Sequence, residues 1–401
     1  MADDGEQARG ERPEGEPIEA RLVGRIAEAP ADQWDACAGR DNPFVTHAFL
    51  AALEESGSVG GRTGWMPRHL LVEDKAGRLL AAAPLYLKAH SYGEYVFDWG
   101  WAEAYERAGG RYYPKLQLSV PFTPVPGPRL LIRPGPQADR AREAAVAALL
   151  AAARQLEVSS LHATFLPEAD AKRLAQAGFL LRHGYQFHWE NRGYRSFDKF
   201  LGALSSRKRK AIKRERRAVA EAGIRFLPLT GRDIEERHWD AFFRHYRAIS
   251  DRKWGQPYLT RRFFSLLSER MGEQVLLVLA ERGGRVVAGA LNLIGPERLY
   301  GRNWGATQEI PFLHFEACYY QAIEFAIARG LKVVEAGVQG EHKVQRGYLP
   351  VETVSAHWIA DAGLRKAVAG FLARETPAVR AEIAALMEES PFRKDGCADA
   401  S

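Results

Sequence analysis

The strongest constraint on the fold of this chain is that its two halves repeat one pattern. Residues 43–55 align without gaps on residues 257–269, and in both segments apolar residues at helical spacing follow a threonine, Thr46 or Thr260. Threonine is a favourable N-cap because its hydroxyl accepts a hydrogen bond from the first helical turn. Each half is therefore predicted to contain a helix that begins directly after this threonine.

Three further patterns recur in the same order in the two halves. They are a strand pair joined by a glycine-containing turn, a long helix followed by a buried-type strand, and a closing strand with a His-Trp pair. The matched segments are 70–83 with 277–290, 142–161 with 315–336, and His188-Trp189 with His357-Trp358. Four collinear matches favour a true duplication over the chance recurrence of apolar patterns.

The duplication divides the 401 residues into a first copy, residues 20–190, and a second copy, residues 191–361. The first 19 residues are rich in Gly, Pro and acidic residues and lack the features of a signal peptide, so they are predicted to be a disordered tail. Residues 362–401 are predicted to be a helical tail interrupted at Pro377. The element order predicts an α+β (mixed α/β) fold, in which each copy is a mixed, mostly antiparallel sheet flanked by helices.

Composition excludes several classes of protein. No apolar run reaches the roughly 18 residues of a membrane span, so no transmembrane helix is expected. The cysteines, Cys37, Cys318 and Cys397, are three in number and far apart, and the histidines are scattered. This pattern argues against a disulfide framework, a zinc site or any other metal site, and it fits a cytoplasmic location. The net charge of +6 favours an anionic partner without naming one.

A strongly basic helix is predicted near the start of the second copy. Residues 207–217 contain eight Lys or Arg residues against one Glu, and Ser205 or Ser206 is placed to cap the helix. This surface is a candidate for binding phosphate groups, although a solvated helix face remains the plain alternative. The candidate residues are Arg207, Lys210, Lys213 and Arg214. No aromatic residues are interleaved with them, which disfavours a free-standing nucleic-acid binder.

Aromatic residues are concentrated in a segment that only the first copy has, from Tyr92 to Tyr113. They are predicted to wall an acceptor pocket, with Tyr113 and Lys115 as the leading candidates; packing in the core is the alternative. In the second copy, Arg302 and Trp304 are expected to share one face of a strand, opposite Asn303. That face would suit a planar or anionic acceptor; an outward Arg that forms a salt bridge is the alternative.

These motifs resemble a known superfamily. The element order is similar to the Gcn5-related N-acetyltransferase fold, and its doubling resembles the Fem-type peptidoglycan-bridge aminoacyltransferases. The basic helix is similar to the one that opens their second unit, and the stretch Glu-His-Lys-Val-Gln-Arg-Gly-Tyr at 341–348 resembles their Phe-Lys element. The FemAB-like predicted N-acyltransferases are more similar still, on the segments 114–115, 121–124, 314–320 and 341–350.

The resemblance implies transfer of an acyl or aminoacyl group to an amine of a peptidoglycan-precursor-like or other small acceptor. The implied donor is aminoacyl-tRNA or acyl-CoA, with no permanently bound cofactor. His342 replaces the Phe of the Fem-type element, and neither a coiled-coil arm nor the acetyltransferase pyrophosphate loop occurs, so the donor stays open. An acetyl-CoA-dependent N-acetyltransferase of small molecules and a non-catalytic duplicated binding module remain alternatives.

The polar stretch after the last predicted buried strand is the candidate reaction centre. The resemblance aligns Lys343 with the family's lysine, and we expect it to contact the oxyanion or a phosphate, with His342 or Glu341 as general base. Further substrate contacts are expected from three residues, namely Gln339, Arg346 and Tyr348. No nucleophile elbow or Cys-His pair is present, so direct attack by the amine is expected. A solvated loop without catalytic function is the alternative.

Overall fold

The computed structural model of the chain describes residues 17–253, 256–337 and 340–393. Its first strand begins at Ile18, so the last two residues of the predicted N-terminal tail belong to this strand. The first copy contains β1 (Ile18–Val23), α1 (Ala31–Ala38), α2 (His47–Glu55), β2 (Trp65–Pro67), β3 (His69–Asp74), β4 (Leu79–Ala83), β5 (Leu85–Lys88), α3 (Trp99–Arg107), β6 (Lys115–Leu118), β7 (Leu131–Ile132), α4 (Ala138–Gln155), β8 (Ser160–Leu166), α5 (Glu168–Gln176) and β9 (Leu180–Glu190).

The second copy repeats this succession with different helices at its beginning and its end. It contains α6 (Phe197–Ala203), α7 (Ser206–Glu221), β10 (Ile224–Thr230), α8 (Glu236–Lys253), α9 (Arg261–Met271), β11 (Val275–Arg282), β12 (Arg285–Ile294), β13 (Arg298–Ala306), α10 (Leu313–Phe315), a π-helical turn (Glu316–Tyr320), α11 (Gln321–Arg329), β14 (Val333–Glu335), a 3-10 turn (Glu341–Arg346) and β15 (Leu349–Ile359). The tail forms α12 (Ala362–Glu388).

The strands form two sheets. One has four strands in the order β1-β3-β4-β7, and the other has eleven in the order β10-β11-β12-β13-β14-β9-β15-β8-β6-β5-β2. Within the described residues the pairs β13–β14 and β6–β8 are parallel and the other pairs are antiparallel. The predicted α+β class, with mixed and mostly antiparallel sheets, is confirmed.

The last strand of each copy pairs with strands of the other copy. Strand β9 of the first copy lies between β14 and β15, and β15 of the second copy lies between β9 and β8. Each copy thus completes its sheet with a strand from the other. The predicted boundary after residue 190 divides the chain but leaves the eleven-stranded sheet undivided, and it stays a prediction.

The predicted duplication is visible in matching helices and caps. The Thr46 hydroxyl accepts a hydrogen bond from the Phe49 amide and the Thr260 hydroxyl accepts one from the Phe263 amide, each at 3.3 Å. Helices α2 and α9 then pack together, with the Phe49 and Phe263 ring centroids 5.8 Å apart. The two hairpins and the two helix-strand pairs predicted from the sequence are present as β3–β4, β11–β12, α4–β8 and α11–β14.

Two local expectations are wrong. Helix α12 continues through Pro377 instead of ending there, and it packs across β9 and β15. Ser205 is the N-cap of α7, but its side chain makes no capping hydrogen bond. No helix in the described part of the chain is long and apolar enough to cross a membrane.

Candidate functional site

A cleft opens where the parallel strands β13 and β14 stop pairing. Their last paired residues are Tyr300 and Glu335, after which the two segments diverge. The space beyond has a volume of about 540 Å³. It is lined by residues that follow this pair in both segments, by the π-helical turn and by the turn that carries Lys343. Sites in α/β sheets commonly form beyond the carboxyl ends of strands, because side chains from several loops meet there.

A β-bulge aims consecutive residues of β13 into this cleft. Leu291 pairs with Asn303 but Asn292 pairs with Gly301, so Arg302 is an extra residue on its strand. The bulge interrupts the alternation of side chains. The expectation that Arg302 and Trp304 face away from Asn303 is therefore wrong, since all three residues line the cleft.

Lys343 lies at the back of the cleft with 4% of its surface exposed. Its Nζ donates a hydrogen bond to the Gly337 carbonyl at 3.3 Å and lies 5.4 Å from the Phe187 ring centroid. Burial lowers the pKa of this lysine to about 8, because removal from water disfavours the ammonium form. Near neutral pH most Lys343 side chains are therefore protonated.

His342 projects from the same turn into the cleft. Its Nε2 lies 3.1 Å from the Tyr319 hydroxyl, a hydrogen-bonding distance. Partial removal from water, together with the charges of Arg346 and Lys343, lowers the pKa of His342, so the imidazole is neutral at neutral pH. A neutral imidazole can accept a proton.

The π-helical turn supplies two more residues of the cleft, Cys318 and Tyr319. Insertions of this kind are frequent at functional sites because they displace side chains from the regular helical positions. Burial raises the pKa of the Cys318 thiol far above its usual range, so the thiol stays protonated and is a poor nucleophile. In the described residues, no group of three or more His, Cys, Asp or Glu side chains is arranged to hold a metal ion.

The other residues predicted around Lys343 lie outside the cleft. Glu341 is exposed and does not line it. Arg346 donates hydrogen bonds to the Glu215 carboxylate and the His342 carbonyl, both at 2.7 Å, and so ties the turn to α7. Tyr348 is buried, and its hydroxyl donates to the Tyr319 carbonyl at 3.2 Å. Gln339 lies outside the described residues.

The predicted basic face of α7 is exposed but does not line the cleft. The buried side of this helix presents Ile212, Glu215 and Val219, and its Glu215 contacts the turn through Arg346. The candidate phosphate-binding residues lie on the outer side of the helix, namely Arg207, Lys210, Lys213 and Arg214. The helix therefore supports the Lys343 turn from behind, while these four cations are exposed on its outer side.

Tyr113 and Lys115 do not reach the cleft either. Lys115 is fully buried and donates hydrogen bonds to Ser91 at 2.8 Å and Glu94 at 2.7 Å, and also to Asp98. The Tyr113 hydroxyl lies 2.8 Å from the Ser91 hydroxyl. Both residues hold the interior of the first copy together.

Sequence reasoning missed several residues of the cleft. The described lining includes Tyr95, Tyr246, Tyr258, Asn292, His314 and Tyr319. His314 and Tyr319 belong to the 314–320 motif, and Tyr95 belongs to the aromatic segment. The sequence thus marked both segments but did not indicate these residues within them. Tyr246 and Tyr258 lie in ordinary helix and loop sequence, where no motif marked them.

Comparison with known proteins identifies the family of this chain. Residues 25–394 match the FemAB-like family, described as peptidoglycan biosynthesis/recognition. The chain belongs to the FemAB-like family. This confirms the resemblance seen in the sequence and places the chain among the acyltransferases. No curated protein matches the sequence.

Solved structures share the fold of this FemAB-like chain at low sequence identity. The structure of FemX is 11% identical, with 88% of this chain and 100% of that chain covered and a TM-score of 0.53. The C-terminal domain of a putative lysylphosphatidylglycerol synthetase from Agrobacterium fabrum is 8% identical, with 86% and 95% covered and a TM-score of 0.52. A conserved protein from Bacteroides thetaiotaomicron is 12% identical, with 84% and 98% covered and a TM-score of 0.50. These likenesses concern the fold alone.

Proposed function

We propose that this FemAB-like protein transfers an acyl or aminoacyl group to an amine of a peptidoglycan-precursor-like or other small acceptor in the cytoplasm. The observation that carries the proposal is the buried Lys343 at the back of a cleft whose described lining contains two basic side chains and no carboxylate. Lys343 and Arg302 are those side chains. The cleft is therefore suited to negative charge.

This electrostatic character supports direct attack by the amine. Cations near an acceptor ammonium disfavour its charged form and lower its pKa, so the neutral, nucleophilic amine is favoured. The same cations stabilise the oxyanion that forms when the amine nitrogen adds to the donor carbonyl carbon. The cleft thus favours both the attacking group and the tetrahedral intermediate.

Each proposed step has a residue in place. The amine nitrogen forms a bond to the carbonyl carbon, protonated Lys343 faces the oxyanion, and neutral His342 takes the proton that the nitrogen loses. The bond from carbon to the thiol sulfur or ribose oxygen of the donor then breaks, and the leaving atom takes up the proton that His342 has received, which restores the neutral imidazole. The Tyr319 hydroxyl, 3.1 Å from His342, keeps the imidazole oriented.

Two donors remain candidates, because the cleft is suited to an anion but does not distinguish between kinds of anion. The exposed cations of α7 suit the phosphates of a large donor such as aminoacyl-tRNA. Acyl-CoA is the alternative, and it would make the protein an N-acetyltransferase of small molecules. Substrate binding without any transfer would instead indicate a non-catalytic binding module.

A transfer assay with labelled donors tests the proposal. Acetyl-CoA and a mixture of charged tRNAs are each supplied with UDP-N-acetylmuramoyl-pentapeptide and with a panel of small amines. We expect label to move from one donor to an amine, and Lys343→Ala to abolish that transfer while circular dichroism stays unchanged. Full activity in a folded Lys343→Ala protein would remove Lys343 from the reaction. Binding without transfer from either donor would contradict the proposed activity.

A further inference from the structure

One loop of the first copy, residues 91–98, places a side chain in the cleft of the second copy. That side chain is Tyr95, whose backbone has a φ of 62°, in the left-handed region that bulky residues rarely adopt. Phe122, also from the first copy, has a φ of 59° and stacks on Tyr258 with ring centroids 4.9 Å apart. Unusual backbone conformations persist where the surroundings enforce them, and they cluster at functional sites.

The loop is held on the side that precedes Tyr95. The Ser91 hydroxyl accepts a hydrogen bond from Lys115 at 2.8 Å, and the Tyr92 carbonyl accepts one from Lys88 at 3.1 Å. The Gly93 carbonyl accepts a hydrogen bond from the Phe122 amide at 3.2 Å. A Cβ atom on Gly93 would come within 2.6 Å of the Phe122 ring, so only glycine permits this approach.

Two carboxylates, one before and one after Tyr95, also hold the loop. Glu94 pairs with Lys115 at 2.7 Å and lies 3.7 Å from Lys88. Asp98 accepts hydrogen bonds from Lys115 and from the Tyr112 hydroxyl, the latter at 2.7 Å. We call Lys88, Lys115, Glu94 and Asp98 the buried clamp. Glu94, directly before Tyr95, and Asp98, three residues after it, thus share Lys115.

The buried clamp is better explained by positioning than by stability. Its four side chains are almost completely shielded from water, and buried ion pairs often contribute no more stability than apolar residues of the same size. Removal from water lowers the pKa of Lys88 to about 7, whereas the pKa of Lys115 is raised because Glu94 and Asp98 outweigh its burial. Such a cluster fixes the geometry of the loop that contributes its two acids.

We propose that Tyr95 determines acceptor specificity in the second copy's cleft, and that the buried clamp of the first copy positions it. This inference rests on the transfer function proposed above. Tyr95, Tyr246 and Tyr258 line the cleft with uncharged rings, which suit a flat apolar face beside the acceptor amine, such as a sugar ring. The donor phosphates are instead expected at the cations. This assigns to Lys115 a positioning role behind the cleft.

A ligand-free experiment tests whether Tyr95 closes the cleft. Cys318 lies in the cleft, Cys37 is buried, and Cys397 is replaced by serine, so that methyl methanethiosulfonate labelling of Cys318 can be followed by mass spectrometry. The Cys318 thiol stays protonated and therefore reacts slowly in the parent; because loss of the Tyr95 ring admits water and reagent to it, we expect Tyr95→Ala to raise the labelling rate at least fivefold. Tyr92→Ala is the matched control, because Tyr92 is on the same loop with its side chain exposed to solvent. Equal rates for Tyr95→Ala and the parent would overturn the placement of Tyr95.

The clamp is tested in the same assay. Lys115→Met is expected to raise Cys318 labelling as Tyr95→Ala does, and to increase hydrogen exchange in residues 91–98 but not in α9. If Lys115→Met does not fold, Ser91→Ala removes the hydrogen bonds of the Ser91 hydroxyl with Lys115 and Tyr113 without unpairing a charge, and a smaller increase is expected. Unchanged exchange in residues 91–98 of a folded clamp variant would overturn the positioning role.

Binding measurements separate acceptor from donor. By calorimetry we expect Tyr95→Ala to weaken UDP-N-acetylmuramoyl-pentapeptide binding at least tenfold, Tyr95→Phe to weaken it less than threefold, and acetyl-CoA binding to stay unchanged. Weakened acetyl-CoA binding with unchanged pentapeptide binding would overturn the acceptor role. If the unaltered chain does not bind the pentapeptide, the proposed function fails for this acceptor, whereas the labelling still decides whether Tyr95 closes the cleft.

Discussion

The two copies differ most at the connection that precedes their exchanged last strands. In the second copy, β14 leads into a 3-10 turn in which Lys343 is buried at the back of the cleft. In the first copy, β8 leads into α5, where Lys172 is exposed and pairs with Glu168 at 2.6 Å on the surface. The corresponding connection therefore holds a buried lysine in one copy and a solvated lysine in the other.

The ends of the parallel strand pairs also differ between the two copies. The pair β13–β14 opens into the cleft, whereas the end of β6–β8 is covered by the chain that follows β6. Arg129 of that chain is 1% exposed and donates hydrogen bonds to the carbonyls of Thr164 at 3.1 Å and Val125 at 2.7 Å. The comparison supports one site in two copies, with the first copy acting as scaffold and wall.

The largest expected effect comes from a comparison of the lysines in the two connections. Lys343→Ala should lower kcat/KM by about 10³-fold, because removing one oxyanion partner typically has an effect of this size. Lys172→Ala should leave kcat/KM unchanged, since its side chain is solvated. Steady-state kinetics with the donor that supports transfer checks both variants. A comparable loss in Lys172→Ala would mean that the first copy also contributes a reaction centre.

The covered end of the β6–β8 pair should contribute to stability and not to turnover. Arg129→Met leaves several buried carbonyls without a donor, and we expect the free energy of unfolding to fall by about 3 kcal/mol. Urea denaturation measures this change. Arg107→Met is the control, because its side chain is 72% exposed and should change stability by less than about 0.5 kcal/mol. A loss of kcat/KM in folded Arg129→Met would challenge the division between scaffold and site.

The pH dependence distinguishes the charge of Lys343 from its packing. If the protonated form faces the oxyanion, kcat/KM should fall about tenfold per pH unit above its pKa of about 8. The contribution to stability has the opposite sign. The folded state binds fewer protons than the unfolded state between pH 8 and the ordinary lysine pKa, so this group's contribution to the free energy of unfolding rises there. An activity that increases through pH 8 would instead make Lys343 the general base.

The smallest expected effect tests where the copies remain alike. Thr46→Ala and Thr260→Ala each remove the side-chain cap of equivalent helices, and each should lower the free energy of unfolding by about 1 kcal/mol. Thermal unfolding of both variants measures the difference. A large difference between the two losses of free energy would show that the caps of α2 and α9 no longer contribute equally to stability.

Much of the fold followed from periodic patterns. The capped helices at Thr46 and Thr260, the two hairpins and the basic α7 were predictable, because apolar spacing and capping residues act over a few positions along the chain. The continuity of α12 through Pro377 was not, since its packing on β9 and β15 outweighs the local preference of proline. The exchange of β9 and β15 was equally hidden, because strand pairing depends on distant partners.

The candidate site was predictable only in part. Lys343, His342, Arg302 and Trp304 were named from the sequence and line one cleft. Tyr113 and Lys115 were expected in it, yet they lie in the interior of the first copy, while Tyr95 from the same segment reaches the cleft. Aromatic residues in a row do not reveal which of them the backbone turns toward a neighbouring domain.

By itself the sequence determined the duplication, the helices and their caps, the basic helix and the polar stretch around Lys343, because these depend on residue type at short spacing. The tertiary structure decided which copy keeps an open cleft, which lysine is removed from water, and which aromatic ring completes the wall. Those outcomes depend on contacts between residues far apart in the chain, such as Arg129 with Thr164, Glu215 with Arg346 and Lys115 with Glu94. Burial and its effect on pKa arise only from such contacts.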